Sequence, residues 1–137
     1  MSDNIIAEII RSSIWSTPSV SAQPVIILER WRVLEVDNQQ GQVQRHFVGF
    51  NVEDCEGRVS TAIQQFDPVT GQGVTKSGRT YKLIGNPGYD SDGAWVWAYW
   101  SRVHKLANER DLSGELWAAM VDAQPDLKEK TEADRQP

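Results

Sequence analysis

The segment VIILERWRVLEV, residues 25–36, decides the fold that this sequence predicts. It is rich in β-branched and large apolar residues, which favour a β-strand. Its apolar alternation changes phase on the way: Trp31 and Val33 share one side of the strand, whereas Leu34 and Val36 share the other. Because side chains alternate across a strand, the change predicts a β-bulge or a strand that is covered on both faces.

Turn signals separate this strand from three further strand-like segments, which cover residues 43–52, 58–66 and 73–84. The clearest turn is DPVTG at residues 67–71, since aspartate, proline and glycine each suit a turn. In the last segment, Ser77-Gly78 predicts a small hairpin that pairs residues 74–76 with residues 79–84. Sequential strands with short turns predict an antiparallel β-meander of four to five strands, curled towards a barrel.

Helical periodicity flanks the meander. Isoleucines recur at three- and four-residue steps in residues 5–14, which predicts an N-terminal helix. After GNPG at 85–88 the period changes again, and it predicts a helix over about residues 93–106, capped by Ser91 or Asp92. Ser113 is expected to cap a second, shorter helix. The predicted fold class is α+β, with an N-terminal helix and one or two C-terminal helices beside the meander.

Length and composition set the domain organisation. The chain of 137 residues has the length of one domain, and its 39% hydrophobic and 24% charged residues are typical of a soluble globular protein. We expect a single domain over residues 1–121. Residues 122–137 hold five acidic and three basic side chains and few apolar ones, which predicts a disordered acidic tail.

Charge and cysteine content point to a cellular setting. The net charge of −5 argues against a general nucleic-acid coat. No apolar run approaches the roughly 18 residues that a membrane helix needs, so no membrane contact is expected. The N-terminus lacks the basic start of a secretory signal, and the lone Cys55 cannot form an internal disulfide. A cytoplasmic protein is expected.

No motif for metal, cofactor or covalent chemistry is complete. His46 and His104 lie on unrelated elements without paired spacing and are expected to be partly exposed. GQGVTKSG at residues 71–78 departs from a phosphate-binding loop, because no glycine precedes Lys76 and a strand follows. Cys55 lies between two acidic residues, which disfavour its thiolate. We therefore expect no catalytic residues, no metal, no cofactor and no enzymatic activity.

Six tryptophans stand out in an otherwise average composition. On the predicted helix 93–106, Trp100 lies on the apolar stripe and Trp95 borders it, so both are expected to pack. Trp97 falls on the polar face of that helix, and tryptophan is enriched at interface hot spots. The predicted partner-binding residues are Trp97, Ser101, His104 and Lys105. The alternative is that the short helix bearing Leu116 and Trp117 folds back and covers Trp97.

Basic side chains interleaved with aromatic ones raise a second possibility, because single-stranded nucleic acid is bound by stacking and phosphate contacts. The candidate contacts are Arg30, Arg32, Lys76, Arg79 and Lys82. Alternation puts Arg79 and Tyr81 on one face and Lys82 on the other, so only part of the set can share a site. The competing interpretation is a solubilising outer face whose charges discourage edge pairing.

Several short motifs occur in a fixed order: HFVG at 46–49, RVST at 58–61, FD at 66–67, TKSGRTYKL at 75–83, GNPG at 85–88 and VW at 96–97. In these motifs the chain, over about residues 29–104, resembles small uncharacterised proteobacterial proteins associated with phages, plasmids and other mobile elements. The resemblance implies a compact cytoplasmic accessory protein and carries no catalytic residues.

The first functional hypothesis is a non-enzymatic accessory interaction protein of a mobile element. It would bind a protein partner, or itself as a homo-oligomer with a dimer favoured, through an aromatic helix and sheet surface. The alternatives are a nucleic-acid-binding accessory protein and a small-molecule binding protein with an aromatic pocket.

Overall fold

The computed structural model describes residues 25–127, and it confirms the α+β class. Seven strands and two helices follow one another in the order β1 (Val25–Asp37), β2 (Val43–Asn51), β3 (Glu56–Val59), β4 (Ile63–Asp67), β5 (Gln72–Thr75), β6 (Thr80–Leu83), α1 (Ser91–Val103), β7 (Ala107–Asp111) and α2 (Ser113–Ala123). The predicted N-terminal helix lies outside the described residues. No helix within residues 25–127 is long and apolar enough to cross a membrane.

The sheet is mixed, whereas the sequence predicted a purely antiparallel meander of four to five strands. Its strand order is β3-β2-β1-β6-β5-β4, and β7 also pairs with β1. β1 and β6 are parallel, because the chain crosses to the far side after β3 and returns through β4 and β5. The other pairs are antiparallel, and the sheet curls without closing into a barrel.

β1 is covered on both faces, which explains the change of phase after Val33, and it also contains a bulge nearer its start. The β1–β2 register shifts between Glu29 and Arg32, and Arg30 has a φ of 45°. The bulge lets Leu28 and Trp31 enter the same core although they are three residues apart. Leu34, further along the strand, enters the other core. One strand therefore supplies both cores of the domain.

The two cores lie on opposite faces of the curled sheet. The first is covered by α2, and its buried members are Ile26, Leu28, Trp31, Val33, Phe47, Tyr81, Leu83 and Met120. The second is covered by α1, and its buried members are Leu34, Val36, Val48, Trp97 and Trp100. Each helix therefore seals one face of the sheet.

Two strand predictions need correction. The segment 58–66 is divided into β3 and β4, because Ser60 is buried and bonds across to β2 instead of continuing the strand. Its N–H donates to the Phe47 carbonyl at 2.9 Å, and its Oγ accepts from the Phe47 N–H at 2.9 Å. β7 was not predicted at all, since all five of its residues are exposed and show no apolar alternation. The predicted β5–β6 hairpin is confirmed.

The helix caps also differ from the prediction. Asp90, not Ser91 or Asp92, caps α1: its Oδ2 accepts from the Gly93 N–H at 2.8 Å. Ser113 begins α2 but does not cap it, because its Oγ accepts from the Val33 N–H at 2.9 Å. That bond ties the start of α2 to β1.

The folded part extends beyond the predicted boundary at residue 121. α2 continues to Ala123, the Gln124 side chain donates to the Pro68 carbonyl at 2.7 Å, and Leu127 packs against the first core. The first residues of the predicted tail thus include the end of α2 and two side chains, those of Gln124 and Leu127, that contact the domain. Residues 128–137 lie outside the described part of the chain.

Two glycines, Gly57 on β3 and Gly93 in α1, allow α1 to approach the sheet backbone closely. A Cβ on Gly93 would lie 2.8 Å from the Gly49 carbonyl oxygen, and a Cβ on Gly57 would collide with the backbone of Asp92. Real Cβ atoms do not pack this closely. The first turn of α1 can therefore contact the backbones of β2 and β3 only because the residues at the contact are glycines.

We predict that Gly57→Ala lowers the free energy of unfolding by about 1–3 kcal/mol, the range expected for overpacking. The matched control is Gly114→Ala in α2, where an added Cβ meets open space. That change is expected to be neutral or to stabilise by up to about 1 kcal/mol, because alanine is the better helix former. Urea unfolding measures both, and equal effects of the two substitutions would contradict the close approach.

Charged side chains fasten β7 to β1. Arg110 Nε donates to Glu35 Oε1 at 2.7 Å, and Asn108 Nδ2 donates to Asp37 Oδ2 at 2.7 Å. Arg45 on β2 also bonds Glu35, at 2.8 Å. These hydrogen bonds, first that from Arg45, lower the pKa of Glu35, and those from Asn108 and Arg110 lower the pKa of Asp37.

A carboxylate with a lowered pKa stabilises the fold above its unfolded pKa, and this contribution is lost as pH falls through the folded pKa. We predict that part of the acid destabilisation below about pH 5 comes from Glu35 and Asp37. The double variant Glu35→Gln/Asp37→Asn should be less stable at neutral pH and should show a shallower fall in urea midpoint from pH 6 to pH 2. An unchanged pH profile would show that Glu35 and Asp37 do not contribute to the acid destabilisation.

Candidate functional site

Trp97 is a core residue, contrary to the prediction that it faces solvent. Its side chain is 5% exposed and packs with Leu34, Val36 and Val48 of the second core. The indole Nε1–H donates to Glu109 Oε1 at 2.6 Å. A buried tryptophan needs such an acceptor, and β7 supplies it. The alternative prediction was also wrong, because the sheet, not the helix bearing Leu116 and Trp117, covers Trp97.

The other residues predicted beside Trp97 do not form one surface with it. His104 is 4% exposed and stacks on Trp100 with a centroid distance of 4.0 Å. Ser101 is half-buried and donates to the Ala98 carbonyl at 3.3 Å. Lys105 alone is exposed, at the end of α1, with a φ of 54°. The predicted partner-binding set is therefore split between core and surface.

Both histidines are buried, although the sequence predicted partial exposure. His46 is 2% exposed, and its Nδ1 lies 2.8 Å from the Ser60 carbonyl oxygen. The two rings flank Trp100, with the His46 centroid 6.0 Å from that of Trp100. His104 stacks on Trp100, whereas His46 meets the Trp100 ring edge-on with an interplanar angle of 63°. Within residues 25–127, no three side chains of the metal-ligating types come together.

The predicted nucleic-acid contacts are also dispersed. Arg79 is fully buried, so it was wrongly placed among surface contacts. Arg30 forms ion pairs with Asp90 at 3.1 Å and Glu29 at 3.7 Å. Arg32 is half-buried, with its guanidinium carbon 5.4 Å from the centroid of the Tyr89 ring. The exposed members are then Arg30, Lys76 and Lys82.

A groove lies between β4 and α2. Its volume is about 320 Å³. Val33 of β1 and Phe47 of β2, which are opposite each other in the strand register, form its floor. Leu112, Glu115, Leu116 and Ala119 form one wall, at spacings that put them on one face of α2 and the residue before it.

The second wall is the edge of β4. Four consecutive residues, 63–66, line the groove. Because successive side chains of a strand point to opposite faces, a groove lined by all four follows the strand edge. β4 is the last strand in the sheet order, so its second edge has no strand partner among residues 25–127. A bulge between Ile63 and Gln65 also leaves Gln64 outside the β4–β5 ladder.

The groove has an apolar interior and a polar rim. Ile63, Phe66 and Leu116 are partly buried and pack against the first core, so they expose apolar surface towards the groove. Gln64, Gln65, Glu115 and Arg45 form the rim, and Arg45 is held by its 2.8 Å bond to Glu35. The rim thus carries one charge of each sign and two neutral amides.

Sequence reasoning missed this site because it merged β3 and β4 into one strand. The signal that could have separated them is STA at residues 60–62, where two hydroxyl residues and an alanine interrupt the apolar alternation. With that break, β4 becomes a short strand of its own, and its free edge becomes a candidate site.

Comparison of the chain with protein-family models, curated proteins and solved structures gave no match.

Trp95 and Trp97 exchange the roles that the sequence predicted for them, since Trp95 is 58% exposed. We predict that Trp97→Ala lowers the free energy of unfolding by about 3–5 kcal/mol, as expected for truncating a buried tryptophan. Trp95→Ala is the matched control and should change it by less than about 0.5 kcal/mol. Urea unfolding of the two variants checks the assignment, and similar losses for both would contradict it.

Proposed function

We propose that this protein is a non-enzymatic interaction module that binds an extended segment of a partner protein in the groove between β4 and α2. The observation that carries the proposal is a strand edge, residues 63–66, that has no strand partner in the described part of the chain and faces a helix across an apolar floor. An extended segment that adds a strand to such an edge gains affinity from main-chain hydrogen bonds and specificity from side-chain pockets.

The two edge strands of the sheet, β3 and β4, differ in how they are protected from pairing, which supports the β4 edge as the binding site. Sheet edges are commonly protected by charges, proline or a covering element. β3, at one end, carries Glu56 and Arg58 and lies against the first turn of α1 through Gly57. β4, at the other end, has neither charge nor proline in residues 63–66, and its one charged residue, Asp67, lies at its last position. Within residues 25–127, no strand occupies the second edge of β4.

The groove also defines the chemistry of the segment. Its floor and inner walls are formed by Val33, Phe47, Ile63, Phe66 and Leu116, so a charged side chain would lose its hydration there without a partner. Side chains of an added strand alternate, so every second residue points to the floor. The expected ligand is therefore an extended segment with apolar residues at every second position.

A small apolar molecule is the second candidate. The groove volume of about 320 Å³ lies at the lower end of the range for small-molecule sites. However, such sites usually contain polar groups that converge on the ligand, and here the polar groups are confined to the rim. The association with mobile elements that the resemblance implies remains a prediction.

Selection from a random peptide display library on the immobilised protein tests the proposal. We expect enriched peptides with alternating apolar residues, and the affinity of the best peptide is then measured by fluorescence polarisation. Ala119→Trp, which fills the groove from the exposed face of α2, should weaken binding at least tenfold. Ala118→Trp adds the same bulk to the neighbouring exposed position outside the groove and should leave binding unchanged.

N-methylation of the peptide backbone distinguishes strand addition from simple apolar burial. Methyl groups at alternate positions should weaken binding strongly, and those at the intervening positions should not, because only one edge of an added strand bonds to β4. A uniform response to methylation, or equal effects of the two alanine substitutions, would overturn the proposal. Binding of small apolar molecules without any enriched peptide would support the second candidate.

A further inference from the structure

The outer surface of α1 carries a stripe of four residues that is separate from the groove. Asp92, Trp95, Tyr99 and Arg102 follow one another at spacings of three, four and three, which places them along one side of the helix. Asp92, Trp95 and Arg102 are exposed, and Tyr99 is half-buried against the second core. We call these four residues the α1 stripe.

The aromatic part of the α1 stripe is already ordered in the single chain. The Trp95 and Tyr99 rings stack with a centroid distance of 6.3 Å and an interplanar angle of 18°. The Arg102 guanidinium carbon lies 5.9 Å from the Tyr99 centroid. Tryptophan, tyrosine and arginine are the residue types enriched at interface hot spots. Side chains that are fixed before association lose less entropy when a partner binds.

The α1 stripe carries opposite charges at equal distances from its middle. Asp92 lies in the first turn of α1 and Arg102 in the last, while the two aromatic residues lie between them. Turning the stripe end over end places an acid on a base and a tryptophan on a tyrosine. The stripe is therefore complementary to itself, which is the requirement for a two-fold symmetric interface.

We propose that the α1 stripe binds the α1 stripe of a second copy of this chain, with the two helices antiparallel about a two-fold axis. Asp92 then faces the partner subunit's Arg102, and Trp95 faces the partner subunit's Tyr99. The antiparallel arrangement also sets the two helix dipoles in opposition, which is favourable. A parallel arrangement would bring Asp92 towards the partner subunit's Asp92, so like charges exclude it.

The contact is small, because the stripe spans about 15 Å of helix at 1.5 Å per residue. Small interfaces of this kind are weak, so we expect a dimer with a Kd on the order of 10⁻⁴ M. Sedimentation equilibrium of the full chain of 137 residues, at loading concentrations up to about 1 mM, measures a Kd of this size. Trp95→Ala should raise the Kd at least tenfold without changing the melting temperature.

Charge reversal tests the pairing directly. Asp92→Arg and Arg102→Asp should each raise the Kd at least tenfold, since each places like charges opposite one another twice across the axis. The double variant Asp92→Arg/Arg102→Asp should restore the dimer. A mixture of the two single variants should form a heterodimer, because each chain then supplies the charge that the other lacks. Lys82→Asp makes the same change in net charge as Arg102→Asp at an exposed position away from α1, and it should leave the Kd unchanged.

A monomer at all loads would overturn the proposal, and so would a dimer that Trp95→Ala and the single reversals do not weaken. Failure of the double variant to restore a dimer would exclude the antiparallel pairing, provided that thermal unfolding shows the variant folded. The outcome is independent of peptide binding between β4 and α2, since Ala119→Trp leaves the α1 stripe intact.

Discussion

The β-bulge between Glu29 and Arg32 is the constraint on which the remaining structure depends. Without it, the alternation of β1 would send Trp31 and Leu28 to opposite faces. With it, the first half of β1 and Trp31 serve the core beneath α2, while Leu34 and the residues after it serve the core beneath α1. The alternation of β1 places apolar side chains on both of its faces, and the inserted residue decides which of them share a face: it brings Leu28 to the same side as Trp31 and Val33.

Both edges of β1 are hydrogen-bonded to other parts of the chain. One edge pairs with β2, and the other pairs with β6 near its start and with β7 near its end. Between those two partners, loops satisfy the backbone: the Gly88 N–H donates to the Trp31 carbonyl at 3.1 Å, and the Leu112 N–H donates to the Val33 carbonyl at 2.9 Å. The segments that enter α1 and α2 are therefore fixed to the same strand, which also positions the groove wall and the α1 stripe.

Apolar periodicity in the sequence predicted β1 and the buried face of α1, and the Ser77-Gly78 turn predicted the β5–β6 hairpin. Features without such a period could not be predicted. β7 is exposed along its whole length, so it has no apolar alternation. Trp97 shares its helix face with the polar residues Ser101 and His104, so helical periodicity could not show that the sheet buries it or that Glu109 of β7 accepts its indole N–H. The groove could not be predicted for a related reason. Its wall is the edge of β4, and β4 is a separate strand only because Ser60 ends β3.

The pairing of β1 with distant strands also determines when the domain can form during synthesis. Val25 is opposite Thr80 and Leu34 is opposite Asp111, so the first described strand leaves the ribosome long before either partner. Loop closure over such separations makes folding slow, and an apolar strand that waits for its partners is exposed to aggregation. Only the local hairpins can assemble early. The sheet from β3 to β4 can become continuous once β6 has been translated, and β7 is added to β1 later. The first core stays uncovered until α2, which follows β7, has also left the ribosome.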